Sequence, residues 1–425
     1  MFRRFRGQWC VVALATCLFH QSAGAAGWKV EVDILHGATY GGKYGSFSKG
    51  HVHVDQDDRL WLPVQVFFPD DAANTDAYHP RVSQLTLVSD DRGRTWRPTR
   101  KKSPALSRNR VVMPGGEWIE MGGSGWIRHP RTEIGRLQDQ GFHVWDLGAR
   151  EDYCAIIYDV LLKSSRDGGK TWTHRKIHPQ LPFFAHFVAR GPLRRLDDGS
   201  LVFLGYGYGK ERRSVDPKTG GVGKTLGRSD VYCLRSEDAG KSWTAIRAVD
   251  GKLSPLATGF SETFPVIHSD GRMFLMIRTG LASPAFTCSS RDGGRSWTAA
   301  TRSPILAKHP LPTRMRDGSI VCSYQRRGAV PYGVRARFTS DLGKTWSDEI
   351  VLRDDVPISN ALAEPNTVQF RDGTLFTAFQ AVKRDDQGRV QPFVGGCHWT
   401  PDYRGHFTPR LPVPPRQKKI NACGR

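Results

Sequence analysis

Glu262 and Arg278 lie on either side of the Ser269-Asp270-Gly271 turn and the apolar run Met273 to Ile277. Two strands joined by a tight turn return to the same end, so this spacing puts the carboxylate beside the guanidinium. A carboxylate there can take a proton from a nucleophile. A guanidinium can hold a substrate carboxylate through two parallel hydrogen bonds. A second hairpin, at Arg316-Asp317-Gly318, is followed by Tyr324, Arg326, Tyr332 and Arg335. A tyrosine hydroxyl becomes a nucleophile when a base stands next to it. Arg335 and Arg337 alternate and share one strand face, and so do His51 and His53, next to Lys49. The two histidines can face a substrate or hold a metal. No third ligand is identifiable, so no metal and no cofactor are expected. Asp139 and Asp146, in a long insertion, are further candidate acids.

The elements that carry these residues come from repeats, which precede any other reading of a fold. The pattern (S/T)-x-D-x-G-x-(T/S)-W occurs five times: SDDRGRTW, SRDGGKTW, SEDAGKSW, SRDGGRSW and TSDLGKTW, with aspartates Asp91, Asp167, Asp238, Asp292 and Asp341. Asp closes a turn by accepting backbone N–H bonds, Gly takes the conformation other residues resist, and Trp anchors the hairpin. Five copies in one chain make these aspartates structural. A second marker, an Asp-Gly turn before an apolar strand, occurs at Asp197, Ser269, Arg316 and Arg371, with a looser copy at Asp55. Segments 55–96, 187–243, 262–297 and 312–346 carry both markers. Segment 118–172 carries only the box, and 363–400 only the turn. Six units of paired hairpins predict an all-β, six-bladed propeller of four-stranded antiparallel blades. The alternating strand from Trp28 to Leu35 is placed to complete the last blade and close the ring.

The boxes are similar to the Asp-box, or bacterial neuraminidase repeat, and the six-unit layout resembles the sialidase superfamily over nearly the whole chain. The resemblance implies that Glu262 activates a tyrosine nucleophile and that Arg278 is one of three arginines gripping a substrate carboxylate. It implies Arg335, or else Arg326 at the position after the hairpin, as another. The sequence departs from the family pattern twice. Where an Arg-Ile-Pro stretch is usual it reads Ser48-Lys49-Gly50-His51-Val52-His53, and Lys49 offers charge without a fork. Where the last unit usually has a tyrosine it reads Ala361-Leu362-Ala363-Glu364-Pro365-Asn366, which leaves Tyr324, Tyr332 or a tyrosine elsewhere as nucleophile.

Composition agrees with an exported glycan-active protein. The 425 residues include 45 Gly and 26 Pro, which favours turns over helices, and 39% are hydrophobic, enough for a core. Residues 1–25 read as a cleavable signal peptide, with Arg3, Arg4 and Arg6 ahead of an apolar run and Ala23-Gly24-Ala25 at the cut. Secretion or a periplasmic location follows, and a lipid anchor at Cys17 is not expected. Residues 26–415 form one domain, and 416–425 a basic tail. No internal run approaches the roughly 18–20 apolar residues of a membrane span. Six cysteines remain after the leader, and an oxidising compartment permits disulfides between them. The net charge of +21 attracts polyanions. Without a nucleic-acid motif, the expected partner of a monomer is an acidic glycan. The leading expectation is a sialidase-like hydrolase of the exo-α-sialidase type. A carbohydrate-binding propeller without catalysis, and a lyase or rhamnosidase-like enzyme using His51 and His53, are the alternatives.

Overall fold

A computed structural model describes residues 29–36, 46–67, 83–101, 109–140, 144–146, 152–177, 183–189, 191–209, 214–215, 222–225, 228–256, 259–279, 283–306, 308–328, 330–357 and 363–400. The signal segment, the basic tail, Cys10, Cys17 and Cys423 lie outside them.

Six antiparallel sheets follow one another along the chain as the blades of a ring. Blade I contains Ser46–Lys49, Leu60–Phe67, Ser83–Ser89 and Arg97–Thr99. Blade II contains Arg110–Val112, Trp118–Pro130, Tyr153–Ser165 and Thr173–Ile177, and blade III Phe183–Ala189, Leu201–Gly209, Ser229–Ser236 and Thr244–Val249. Blade IV contains Thr263–Ile267, Met273–Ile277, Pro284–Ser290 and Thr301–Leu306. Blade V contains Lys308–Arg314, Ile320–Arg326, Tyr332–Thr339 and Ile350–Val356. Blade VI takes Ala363–Gln369, Leu375–Arg384 and Val390–Trp399 from the end of the chain and Lys29–His36 from its beginning. That last pairing runs from Lys29 opposite Trp399 to His36 opposite Phe393, so the first strand closes the ring as expected. The described helix is slight: one α-helical stretch, Ile134–Asp139, and short 3-10 turns. No described helix is long and apolar enough to cross a membrane.

Packing between blades explains the strand sequences. Five buried apolar clusters each straddle two neighbouring blades, for example Leu62 and Leu87 of blade I with Phe376 and Val394 of blade VI. A sheet packed on both faces needs apolar residues on both. The second strand of blade IV, Met-Phe-Leu-Met-Ile at 273–277, is accordingly buried at every position. The hairpin strands are thus not half-buried, as their turns alone suggest. Blade II was marked only by its box, yet it has the same inner turn: Gly116 N–H donates to Met113 O at 2.8 Å. Pro114-Gly115-Gly116 does there what Asp-Gly does elsewhere.

The five boxes all join a third strand to a fourth, with one geometry. In the first, the Asp91 carboxylate accepts from Ser89 Oγ, Thr95 N and Thr95 Oγ1 at 2.7, 2.9 and 2.6 Å, and Trp96 Nε1 donates to Gly93 O. Gly93 has φ +96°, and a Cβ there would sit 2.5 Å from Phe376 of blade VI. The box glycine is therefore imposed twice, by conformation and by the neighbouring blade. The bonds to the carboxylate hold each box aspartate below the usual carboxylate range. Asp292 stands at about 2, with burial opposing and the bonds from Ser296 and Ser290 prevailing.

All five described cysteines, Cys154, Cys233, Cys288, Cys322 and Cys397, are buried. Each sits inside an inter-blade or blade core, and no disulfide of the kind an oxidising compartment permits joins one of them to another. Burial pushes the Cys233 and Cys288 thiols up to about 12.

Two predictions follow from this packing. A box aspartate with a depressed native pKa stabilises the fold above its unfolded value near 3.8, and that stabilisation is lost as pH falls. The melting temperature should therefore drop between about pH 4 and pH 2, and Asp292→Asn should flatten that drop. Cys154, Cys233, Cys288 and Cys322 should resist a thiol reagent in the native protein and react in guanidinium, read by peptide mass; rapid native labelling of Cys233 would contradict the packing.

Candidate functional site

First strands are innermost, and that of blade V touches those of blades IV and VI. They run in parallel directions around the ring, so their starting residues meet at one end of the axis and the turns and boxes occupy the other. Glu262, His309 and Glu364 each stand nine residues before the turn glycine of their blade, Gly271, Gly318 and Gly373. The three side chains converge: their ligand atoms all lie within 4.8 Å of one another. His309 Nδ1 is 3.2 Å from Glu262 Oε2 and 3.6 Å from Glu364 Oε1. The Phe264 ring meets the His309 ring edge-on at 6.4 Å.

The backbone is bent to achieve this. His309 and Glu364 have φ of +53° and +24°, and each precedes a proline. Left-handed conformations are costly for residues with a Cβ, and positions before proline avoid the helical region. Both residues lie where the pairing to the second strand slips, between Lys308 and Leu311 and between Ala363 and Asn366. Such an irregularity re-aims a side chain, and local strain of this kind gathers at functional sites.

Arg278 follows the second strand of blade IV. Its backbone N–H donates to Glu262 O at 2.9 Å, and its Nη1 donates to Glu262 Oε2. Hairpin geometry thus brings together the pair that the sequence placed on either side of a turn. Arg327, buried after the second strand of blade V, feels both partners. Burial and the Arg278 charge lower its pKa to about 10, against the pull of Glu262. Polar atoms without a hydrogen-bond partner among the described residues collect here: Thr263 Oγ1, Arg278 Nε, Arg327 Nε and both side-chain polar atoms of Gln325. A buried unpaired donor costs about 1–3 kcal/mol. A group of them at one end of the axis is what a polar ligand would satisfy.

Other expected residues stand elsewhere. Gln325, not Arg326, is the register equivalent of Arg278, since each lies seven residues after its turn glycine. Arg326 Nη1 donates to Glu349 Oε1 at 3.1 Å, and Tyr324 OH donates to Glu349 Oε2 at 2.6 Å. Arg335 Nε lies 3.5 Å from the same carboxylate, and its remaining donors cap the carbonyls of Pro331, Val334 and Arg353. Burial, helped by Glu349, raises the Tyr324 pKa well above its ordinary value. Tyr324, Arg326 and Arg335 therefore form a scaffold cluster around Glu349. Tyr332 packs against the apolar core between blades V and VI. His51 and His53 are half-buried on either side of Val52. Asn366 clamps the Val52 backbone, accepting from its N–H at 3.0 Å and donating to its C=O at 3.2 Å. The Lys49–His53 stretch is thereby fastened to blade VI two residues beyond Glu364; the Lys49 side chain lies outside the described residues. Asp146 is bound by Arg131 through two 3.0 Å bonds, and Asp139 ends the short helix in blade II.

Sequence reading missed His309, Arg327 and the part played by Glu364. The signal was present in the nine-residue register to the turn glycine, repeated in three blades. Tyr324→Phe, which strips a buried charge-assisted bond, should destabilise the fold by about 1.5–3 kcal/mol in urea unfolding while leaving glycoside binding unchanged; a loss of binding without loss of stability would return Tyr324 to the site.

Comparison with known proteins adds the following. Residues 218–389 match the family model of the BNR repeat-like domain. A sialidase from Bacteroides fragilis (strain YCH46) is 25% identical over 291 residues, covering 58% of this chain and 49% of that protein. The chain thus spans about half the length of the curated relative it matches. A protein of unknown function from Dyadobacter fermentans DSM 18053 has a similar fold, with a TM-score of 0.57 at 19% identity, over 87% of this chain and 98% of that one. The Trypanosoma rangeli sialidase in complex with the inhibitor DANA gives a TM-score of 0.45 at 15% identity, over 84% and 55% of the two chains, too loose a likeness to transfer residues.

Proposed function

We propose that this sialidase-type BNR-repeat propeller is an exported glycoside hydrolase that releases an acidic sugar from a glycan at the axial end where Glu262 meets Arg278. One observation carries the reading: blades IV, V and VI deliver two carboxylates and an imidazole from equivalent positions to one point, where Arg278 adds a guanidinium. Carboxylates supply proton transfer or nucleophilic attack on a glycosidic bond. Arg327, with an unpaired Nε beside Arg278, supplies positive charge for a sugar carboxylate. The basic surface adds long-range attraction to an anionic glycan. Residues 1–25 are its export signal and 26–415 its single domain in this reading.

A binding propeller without catalysis is the second reading. The observation that favours it is the commitment of Arg278 to Glu262, where a hydrolase of the resembled type would turn that arginine to the substrate. Fluorogenic glycosides of sialic, glucuronic, galacturonic and iduronic acid separate the two. The hydrolase should turn over at least one of them. Glu262→Gln should then lower kcat at least a thousandfold with KM little changed. Arg278→Ala should lower kcat/KM by roughly a hundredfold or more, since it strips the cation from a buried carboxylate. Tight binding of an acidic glycan with no turnover would establish the binding propeller instead.

A further inference from the structure

The geometry points to Glu262 and Glu364 as a catalytic carboxylate pair, with Glu262 the nucleophile and Glu364 the acid and base, so that no tyrosine takes part. This rests on the hydrolase reading above. The separation decides the class of reaction. Glycosidases whose carboxylates stand about 5–5.5 Å apart form a glycosyl-enzyme ester, whereas those about 6.5–9.5 Å apart leave room for a water between them. Glu262 and Glu364 each bring a carboxylate oxygen within 4.8 Å of the other, which favours the shorter of the two arrangements.

Surroundings assign the roles. The Glu262 side chain is 10% exposed and carries the Arg278 guanidinium, which compensates the charge an attacking carboxylate needs. The Glu364 side chain is 30% exposed, which leaves it open to a departing alcohol and an entering water. Glu364 is held there by a left-handed backbone before Pro365, and the Asn366 clamp on Val52 fixes the strand behind it. His309 Nδ1 stands against both carboxylates and keeps them in register. The same three side chains could hold a divalent cation. Arg278 and Arg327, however, bring two fixed positive charges to that corner, which opposes a dication and suits an anionic sugar.

The steps balance without a further reactant. A Glu262 oxygen bonds to the anomeric carbon, the glycosidic C–O bond breaks, and its electron pair leaves on the aglycone oxygen, which takes the proton of Glu364. The Glu364 carboxylate then takes a proton from water. The water oxygen bonds to the anomeric carbon, and the ester C–O electrons return to Glu262. The aryl glycosides that the wild type cleaves provide the test, with phenol leaving groups of graded acidity. Glu364→Gln should lose at least a thousandfold in kcat/KM on the poorest leaving group and under tenfold on the best. Azide should restore turnover to Glu364→Ala and yield the glycosyl azide, which also shows that the variant is folded. Labelling with 2,3-difluorosialic acid or 2-deoxy-2-fluoroglucuronosyl fluoride, whichever matches the sugar cleaved, should add mass to the peptide containing Glu262. A labelled tyrosine, or a Glu364→Gln variant as active as wild type, overturns the pair and leaves the hydrolase reading standing. A wild type that cleaves none of the glycosides overturns both.

Discussion

Closure of the ring is the constraint on which the rest of this structure depends. Blade VI is complete only when Lys29–His36 adds to Val390–Trp399, since an unpaired outer strand would leave a row of backbone donors and acceptors without partners. Asp33 reinforces the seam, reaching Lys383 at 2.9 Å and Arg353 at 3.4 Å. Blade VI then locks to blade I through the Asn366–Val52 clamp, the Arg92–Asp372 ion pair at 2.7 Å and the Arg371 N–H to Asp58 bond. The same constraint explains why five boxes serve six blades. A box is a hairpin between third and fourth strands, and in blade VI those strands come from opposite ends of the chain, so there is no hairpin to close.

A ring of blades with one polarity separates work by end. Turns and boxes share one end, and there each box closes its own hydrogen bonds around its aspartate. Neighbouring turns also bond directly, as Asp197 N–H does to Ser269 O at 2.7 Å. The other end receives the starts of the inner strands. Backbone regularity gives way there at His309 and Glu364, and buried polar atoms remain unpaired. Stability is concentrated where the sequence repeats, and chemistry where it does not.

Two buried clusters of acids and arginines illustrate how placement decides use. Around Glu349, Tyr324 and Arg326 bond the carboxylate and Arg335 bonds nearby carbonyls with its Nε 3.5 Å from the same carboxylate, so each charge there has a partner of opposite sign. Around Glu262, Arg278 pairs with the carboxylate and His309 stands 3.2 Å from it, yet donors on Arg278, Arg327 and Gln325 are left over. The first arrangement holds blade V together. The second has capacity to spare for a ligand.

The blade count, the all-β class, the ring closure and the structural part of the box aspartates were legible in the sequence, because each depends on contacts within a few residues of a turn. The Glu262–Arg278 pair was legible for the same reason: one hairpin places both. Tertiary structure alone decided the company they keep. Tyr324, Arg326 and Arg335 have the right types and spacing but share a strand face turned toward Glu349, whereas Arg327 is one residue on from Arg326 and lies beside Arg278. A shift of one residue reverses the face of a strand, and spacing along the chain cannot say which face meets the axis. His309 and Glu364 are 47 and 102 residues from Glu262 along the chain. Only the rotation of one blade onto the next, together with a local slip in each inner strand, puts all three in contact.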